Sequence, residues 1–492
     1  MYNVEKFFSS TLWFSFGLVL NRIKYILLSV IVLRLGSTNL AIFYVSLYLI
    51  NEFSSFAIRI VSSSYNRFLR DGAFIDKKEN LKATVNSSLQ LALLFGLAGA
   101  VLIFFLAEPI ALLIKNNAFV QAIRLLALAV PFLIVKRQIT QMLSVLTKYK
   151  EAVVLQYILE TVIVLSFAYF TVFVLKTDIY TVLGWQVAAI ILSCFAALIL
   201  LYKTMPKFQI SLRPFLMIPI QTSPIILSNA LFIALLSQAD ILIVGFYLGA
   251  TRLGNYIALL VAPHLIYTIA TNSFGMFLHT ATPFYQETKK VTLLAQKVLQ
   301  YILILAVILT ILIIIYPQEM LYSVIQIHTK IDPLALRLFT LAFFIRIIAW
   351  LAGQILIVAK KSRENMFINA LVAIITLPLV ILITPRYGFT GLGFVFLGVF
   401  LFETLTKTTL AYQAARIPFV SNKSLKILLI GVVFYILNTF VIQMDFRLFI
   451  PYFVFSFLLL LIVFGSLSVD DWFLFNKIFQ RGRKIAKTTE EI

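Results

Sequence analysis

Apolar runs long enough to cross a lipid bilayer recur along the whole of this chain, separated by short polar segments. A helix needs about 20 apolar residues to span the hydrocarbon core. Inside that core only helices and closed barrels satisfy every backbone N–H and C=O. Leu299–Ile315 and Phe453–Phe464 hold no charged residue. The two-residue alternation of membrane strands is absent, which argues against a barrel. Hydrophobic residues make up 61% of the chain and charged residues 12%, against about a quarter charged in a soluble domain. The expected class is an all-α polytopic membrane protein with no soluble domain large enough for chemistry.

The runs divide into fourteen expected spans, the first approximately Thr11–Leu33 and the last approximately Leu448–Phe464. Three others matter below: Phe119–Val135, continued to Leu146 or broken at Pro131; Phe215–Asp240, with Pro219 and Pro224 inside; and Phe389–Tyr412. With the N-terminus cytoplasmic, the cytoplasmic segments carry 26 Lys and Arg, Lys136 and Arg137 among them, while the seven outward loops carry one each. This is the asymmetry of the positive-inside rule. It predicts a multi-pass protein of the cytoplasmic (plasma) membrane with both termini cytoplasmic. It also accounts for the net charge of +21 without nucleic acid, which would need those charges on one folded face.

The first apolar run is interrupted by Asn21, Arg22 and Lys24, so no removable signal peptide is expected. Cys194 is the single cysteine and excludes an internal disulfide. His264, His279 and His328 are scattered without metal-ligand spacing. No G-x-x-x-x-G-K-[ST] loop occurs, so neither ATP hydrolysis nor a cofactor is expected.

The chain resembles itself at an offset of 213. Leu35-Gly36-Ser37-Thr38-Asn39-Leu40-Ala41 reads like Leu248-Gly249-Ala250-Thr251-Arg252-Leu253-Gly254. The same offset pairs Arg124-Leu125 with Arg337-Leu338, Gln141 with Gln354, and Lys148 to Glu151 with Lys361 to Glu364. Six spans per copy make the copies parallel, so an axis along the membrane normal should relate them. The expected organisation is a six-helix lobe over 1–210, a second over 211–420, two further helices over 421–468 and a basic tail over 469–492.

Asp240-Ile241-Leu242-Ile243-Val244-Gly245, then Leu248-Gly249, Gly254-Asn255-Tyr256 and Pro283, carry a resemblance to a known family. The chain resembles the O-antigen-type flippases of lipid-linked oligosaccharides, in the multidrug/oligosaccharidyl-lipid/polysaccharide exporter superfamily. The first half carries a weaker copy, with Ala41 where a glycine is usual. The resemblance covers roughly residues 5–420. It implies translocation of a polyprenyl-pyrophosphate-linked oligosaccharide by alternating access, for surface polysaccharide or glycan synthesis, with the sugar between the lobes and the lipid tail in the bilayer.

Charges inside spans are costly and mark functional positions or partners. Arg22 and Lys24 lie in the first span, Asn51, Glu52 and Arg59 in the second, and Arg346 in the tenth. A pyrophosphate is a compact polyanion, and Arg22, Lys24, Arg59 and Arg346 are its candidate partners. Arg22 and Lys24 are about 200° apart around a helix, so one of them at most faces the substrate squarely. The structural alternative is that Glu52 clamps one of these cations and that Arg59 reaches to the membrane surface.

Asp240, Glu52, Glu160 and His264 are candidates for coupling transport to protons or cations. Asp240 could instead cap a helix end, and Glu160 has no sequence-local partner. Glu403 and Lys407 sit i, i+4 and should pair. The competing function is a cation-coupled antiporter of multidrug or other small-molecule substrates, of the same fold. The cations and missing acids of the first span favour an anionic substrate. A membrane polymerase or ligase would need a sizeable outward loop, and none exceeds about 20 residues. Besides the lipid-linked oligosaccharide, only membrane lipids are expected as partners, and the two lobes are expected to work as a monomer.

Overall fold

The computed structural model describes residues 17, 20, 21, 24, 25, 27–74, 78–145, 148–204, 224–281, 287–320, 332–439 and 445–464. Arg22 lies outside the described residues, and so does the side chain of Arg59. The elements are helical. A first helix, α1, covers 27–33 and continues back through the described positions to Gly17. Then come α2 Ser37–Phe74, α3 Lys78–Ile114, α4 Ala118–Ala127, α5 Val130–Val145, α6 Tyr149–Val153, α7 Leu159–Tyr169 and α8 Ile179–Thr204. The chain continues with α9 Pro224–Ala281, α10 Thr288–Ile315, α11 Pro333–Val358, α12 Ser362–Ala415, α13 Asn422–Leu437 and α14 Phe446–Val463.

Two of these are too long to be single crossings. At 1.5 Å per residue, the 54 residues of α12 would reach about 80 Å, against a hydrocarbon core of about 30 Å. Gly388 breaks the helix with φ 55° and ψ −142°. A Cβ on Gly391 would lie 2.6 Å from Ile383 Cγ2, eight residues back, where a continuous helix holds the backbones about 12 Å apart. α12 therefore doubles back on itself. α9 does the same at Gly249, where φ is 78°, and there a Cβ on Gly245 would lie 3.0 Å from Leu253 Cδ2. Glycine occupies both turns because a side chain is strained at positive φ.

Among the described residues, eight helices are long and apolar enough to cross a membrane, or nine if the bent pair α4–α5 counts as one span. Two of the eight contain the glycine breaks. The expected number of fourteen rests partly on segments outside the described residues. The bend between α4 and α5 is 44°, with Pro131 in the first turn of the second piece. A proline in a first turn loses no intrahelical hydrogen bond, so the break falls just before it.

The two faces of the bundle differ as a bilayer demands. Phe105 and Leu112 on α3, Phe367 on α12 and Phe455 on α14 are 67–72% exposed. Inside, small residues let helices approach: Gly96 meets the Pro131 backbone, and Gly99 lies against the Phe53 ring. Interior hydroxyls turn back on their own helices. Thr340, Thr376, Thr384 and Ser54 each donate to the carbonyl four residues earlier, so they cost little when buried. α13 packs on α10 through Gly431 against Val307, and Asn438 Nδ2 donates to Tyr316 Oη at 3.2 Å. Rings of Phe434, Phe449, Phe453 and Phe457 join α13 to α14.

The 213-residue offset reappears as geometry. Gly36 and Gly249 both have positive φ, 109° and 78°. Lys148 N–H donates to Leu143 O at 2.8 Å, and Lys361 N–H donates to Leu356 O at 2.7 Å. Lys148 pairs with Glu151 at 4.0 Å and Lys361 with Glu364 at 3.3 Å. Thr38 shares a 3.0 Å hydrogen bond with its own counterpart, Thr251.

Candidate functional site

Buried charge gathers in two places. In the first repeat, Glu160 on α7 receives Lys24 Nζ at 2.8 Å and Lys136 Nζ from α5, while Gln186 Nε2 on α8 donates to it at 3.0 Å. Lys24 and Lys136 are each 1% exposed and Glu160 is 6%. An isolated carboxylate at such a site would cost several kcal/mol, and two ammonium groups with an amide offset this. Of the cations that Glu52 might clamp, Lys24 is held instead by Glu160, 136 residues away, while Arg22 and the side chain of Arg59 lie outside the described residues. Glu160, which has no neighbour in sequence to pair with, is clasped from three other helices.

The first repeat also corrects a boundary. Lys136 and Arg137 belong to the cytoplasmic set in the sequence reading, but α5 runs without a break to Val145 and carries both inside the bundle. Arg137 donates to Asn51 O at 3.2 Å, Asn51 Oδ1 at 2.5 Å and Ser55 Oγ at 3.0 Å on α2. The signal was present in the sequence: the apolar run resumes after Gln138, with no proline or glycine to stop the helix. Removing these two from the 26 leaves 24 against seven. α7 is flanked by wide π-helical turns, Val154–Ile158 and Phe170–Leu175. Such turns carry no composition signal and recur where helices are locally adjusted around a site.

In the second repeat, Glu403 on α12 receives Lys407 Nζ at 2.6 Å, the expected i, i+4 pair, and lies 3.5 Å from Arg346 Nε on α11. Lys407 also donates to Asn369 Oδ1 at 2.7 Å. The Arg346 guanidinium sits between two rings, 4.2 Å from the Phe400 centroid and 5.2 Å from that of Tyr267. Beyond Glu403 and these rings its two terminal amino groups meet no partner among the described residues, although Arg346 is only 4% exposed. A planar fork beside two rings, with its tips unengaged among the described residues, is the group that takes an oxyanion bidentately.

Asp240 does not cap a helix end. It sits nine residues before the Gly249 turn, 8% exposed, and accepts a hydrogen bond from Tyr256 Oη, seven residues after the turn. The sequence motif thereby acquires a physical meaning. Gly249 makes the turn, Asp240 and Tyr256 meet across it, and Gly254 sits so close to the Ser37 carbonyl that no side chain fits. His264 Nδ1 lies 3.1 Å from Leu260 O on its own helix, with its ring 4.5 Å from that of Phe343. Arg124 and Arg337 both tie helices together, Arg124 to Glu108 at 2.6 Å and Arg337 to Ile314 O at 2.8 Å.

This architecture has known relatives. It superposes on the lipid II flippase MurJ in an inward closed conformation, with TM-score 0.67 and 16% identity over 93% of this chain and 98% of that one. An inward-facing multidrug resistance transporter of the MATE family gives TM-score 0.57 and 15% identity over 81% and 94%. A transporter of the same superfamily from Pyrococcus furiosus gives 0.57 and 14% over 85% and 98%. At these identities the likeness establishes the fold, that of the multidrug/oligosaccharidyl-lipid/polysaccharide exporters. No curated protein sequence matches the chain. A family profile described as polysaccharide biosynthesis protein matches residues 70–325, just over half of the 492. That stretch takes in Lys136, Glu160 and the Asp240–Tyr256 hairpin, and by it the chain belongs to the polysaccharide biosynthesis protein family.

Proposed function

We propose that this chain is a flippase that carries a polyprenyl-pyrophosphate-linked oligosaccharide across the cytoplasmic membrane by alternating access, for surface polysaccharide or glycan synthesis. The unengaged fork of Arg346 is the observation that carries this reading. A pyrophosphate presents paired oxygens of matching geometry. Each ionic cluster also holds two cations and one carboxylate, an excess of one positive charge within the cluster itself, in a poorly screened setting. That favours an anionic head group and disfavours the cation of an antiporter. Lys24 joins the head-group site once Glu160 releases it, and Arg22 and Arg59 complete the cationic wall.

In this reading the lobes are residues 1–210 and 211–420 about an axis along the membrane normal, and both termini are cytoplasmic. The helices of 421–468 are additional, the tail of 469–492 is basic, and one chain is the working unit. Asp240, buried and bonded to Tyr256 across the Gly249 turn, and Glu52 on α2 are the stronger coupling candidates. Glu160 between two lysines and His264 on its own helix carbonyl are the weaker.

The test is complementation of a strain lacking the chain, read as surface glycan and as lipid-linked oligosaccharide retained on the inner leaflet. Arg346→Gln at normal membrane levels should retain the intermediate. Wild-type export by that variant would remove Arg346 from the site. If deletion spares the glycan and sensitises cells to cationic drugs, the antiporter reading replaces this one.

A further inference from the structure

We propose that Glu108 and Arg124 hold the head group of a phospholipid bearing a phosphate and a primary ammonium, as phosphatidylethanolamine does, in a notch on the lipid-facing side of the first repeat. The site does not depend on what the chain carries, only on its lying in a bilayer.

The notch is an exception to its surroundings. On α3, Val101, Phe105, Glu108 and Leu112 recur at i, i+4, i+7 and i+11, which is one stripe of a helix, and all four are exposed. The Glu108 side chain, between two of the most exposed apolar residues of the bundle, is itself 63% exposed. A carboxylate on a stripe that otherwise meets lipid tails is costly unless polar groups cover it. Arg124 Nη2 donates to Glu108 Oε1 at 2.6 Å and covers one oxygen. The guanidinium lies 4.7 Å from the Phe104 centroid, and Arg124 Nε meets no partner among the described residues. Arg124 also lines a cleft of about 410 Å³, together with Phe104, Asn117, Gln121 and Leu128. That is the size of a small-ligand site. Asn117 stands at the start of α4 but makes no side-chain cap there.

The charges match a zwitterion. The second oxygen of Glu108 suits an ammonium, while Arg124 Nε and the two side-chain amides suit a phosphate. A choline offers no N–H to Glu108, and an anionic head group brings it no cation. The depth also fits. Glu108 precedes Lys115, at the corner between α3 and α4, by seven residues, about 10 Å of helix. Head groups add about 5–7 Å to each side of the hydrocarbon core. In the orientation proposed above, the pair therefore sits near the boundary of heads and tails in the outer leaflet. The duplicated fold does not require the notch. At the 213 offset Arg124 meets Arg337, which donates to Ile314 O, but Glu108 meets Leu321 and Gln121 meets Leu334.

The experiment is lipid binding to the purified full-length chain in detergent, read by native mass spectrometry. Phosphatidylethanolamine, phosphatidylcholine and phosphatidylglycerol with the same acyl chains are offered separately. The wild type should retain phosphatidylethanolamine roughly tenfold better than phosphatidylcholine, the worth of one charge-assisted hydrogen bond. Glu108→Gln keeps the side chain's size at an exposed position and should erase that preference; Arg124→Gln should weaken retention of both. A diazirine-bearing phosphatidylethanolamine should label peptides of residues 104–128 in the wild type and less so in Glu108→Gln. Equal retention of the two zwitterionic lipids by the wild type, or a preference that survives Glu108→Gln, would overturn the site. Stronger retention of phosphatidylglycerol would overturn it too, since Glu108 would then have no ligand. Dimers that Glu108→Gln dissociates would give the notch to a second copy of the chain instead.

Discussion

The two repeats agree in their corners and disagree in their charges. Gly36 and Gly249 turn the chain alike, and Lys148 and Lys361 end their helices with the same backbone bond and the same i, i+3 pair. The buried cations have no such correspondence. At the 213 offset Lys24 meets Ser237, Lys136 meets Ala349, Arg137 meets Trp350, and Arg346 meets Leu133. Each repeat nonetheless arrives at one carboxylate between two cations. The first draws them from three helices and saturates Glu160, whereas the second uses two helices and, among the described residues, leaves the Arg346 fork unengaged. Duplication thus kept the turns, which backbone geometry dictates. Polar interiors diverged because any arrangement that balances buried charge will fold.

The sharpest way to break this comparison is to remove each carboxylate. Glu160→Gln strands two lysines in a fully buried site and should cost about 3–5 kcal/mol, seen as lost membrane expression and a lowered unfolding temperature in detergent. Glu403→Gln should cost less, because Asn369 still holds Lys407 and two rings still hold Arg346. Equal losses would mean the clusters are equally structural. Adding Lys136→Met to Glu160→Gln should recover part of the stability, a coupling that a double-mutant cycle reads directly.

The functional contrast is probed by Arg346→Lys. A lysine keeps the charge but loses the bidentate fork and the flat contact with Phe400. Export should fall tenfold or more, about 1.4 kcal/mol, with little change in unfolding temperature. A variant that exports normally would show that charge alone suffices.

Smaller effects test the shared corners. Gly36→Ala and Gly249→Ala each force a side chain into positive φ and should each destabilise by about 1–2 kcal/mol. Neither added methyl would meet a neighbour within 4 Å, so strain alone is measured. Clearly unequal losses would count against an equivalent role. Smallest of all, Lys148→Ala and Lys361→Ala remove partly exposed pairs and should each change stability by under about 0.5 kcal/mol.

Much of the fold was legible because a bilayer leaves few choices. The repeat placed both corners, and the spacing of Glu403 and Lys407 gave their ion pair. The site was less legible. Lys136 and Arg137 look like a loop dipeptide when spans are closed at the first charge, yet the continuation of α5 buries Lys136 and sets Arg137 against α2. Tyr256 stood in the quoted motif without a role, because its partner lies sixteen residues earlier across a turn. The π-helical turns beside Glu160 gave no warning, since they depend on backbone register rather than composition.

By itself the sequence determined that the chain is helical, crosses a membrane many times and resembles itself at an offset of 213. Each of these follows from local composition or periodicity: a bilayer demands apolar helices, and a repeat shows in one dimension. Only the tertiary structure decided which charges meet. Lys24 and Glu160 are 136 residues apart, and Arg346 and Glu403 are 57 (403 − 346) apart. Their pairing is set by helix packing that no sequence interval encodes. The same holds for Thr38 and Thr251, equivalent in the repeat but brought together by how the two copies face each other.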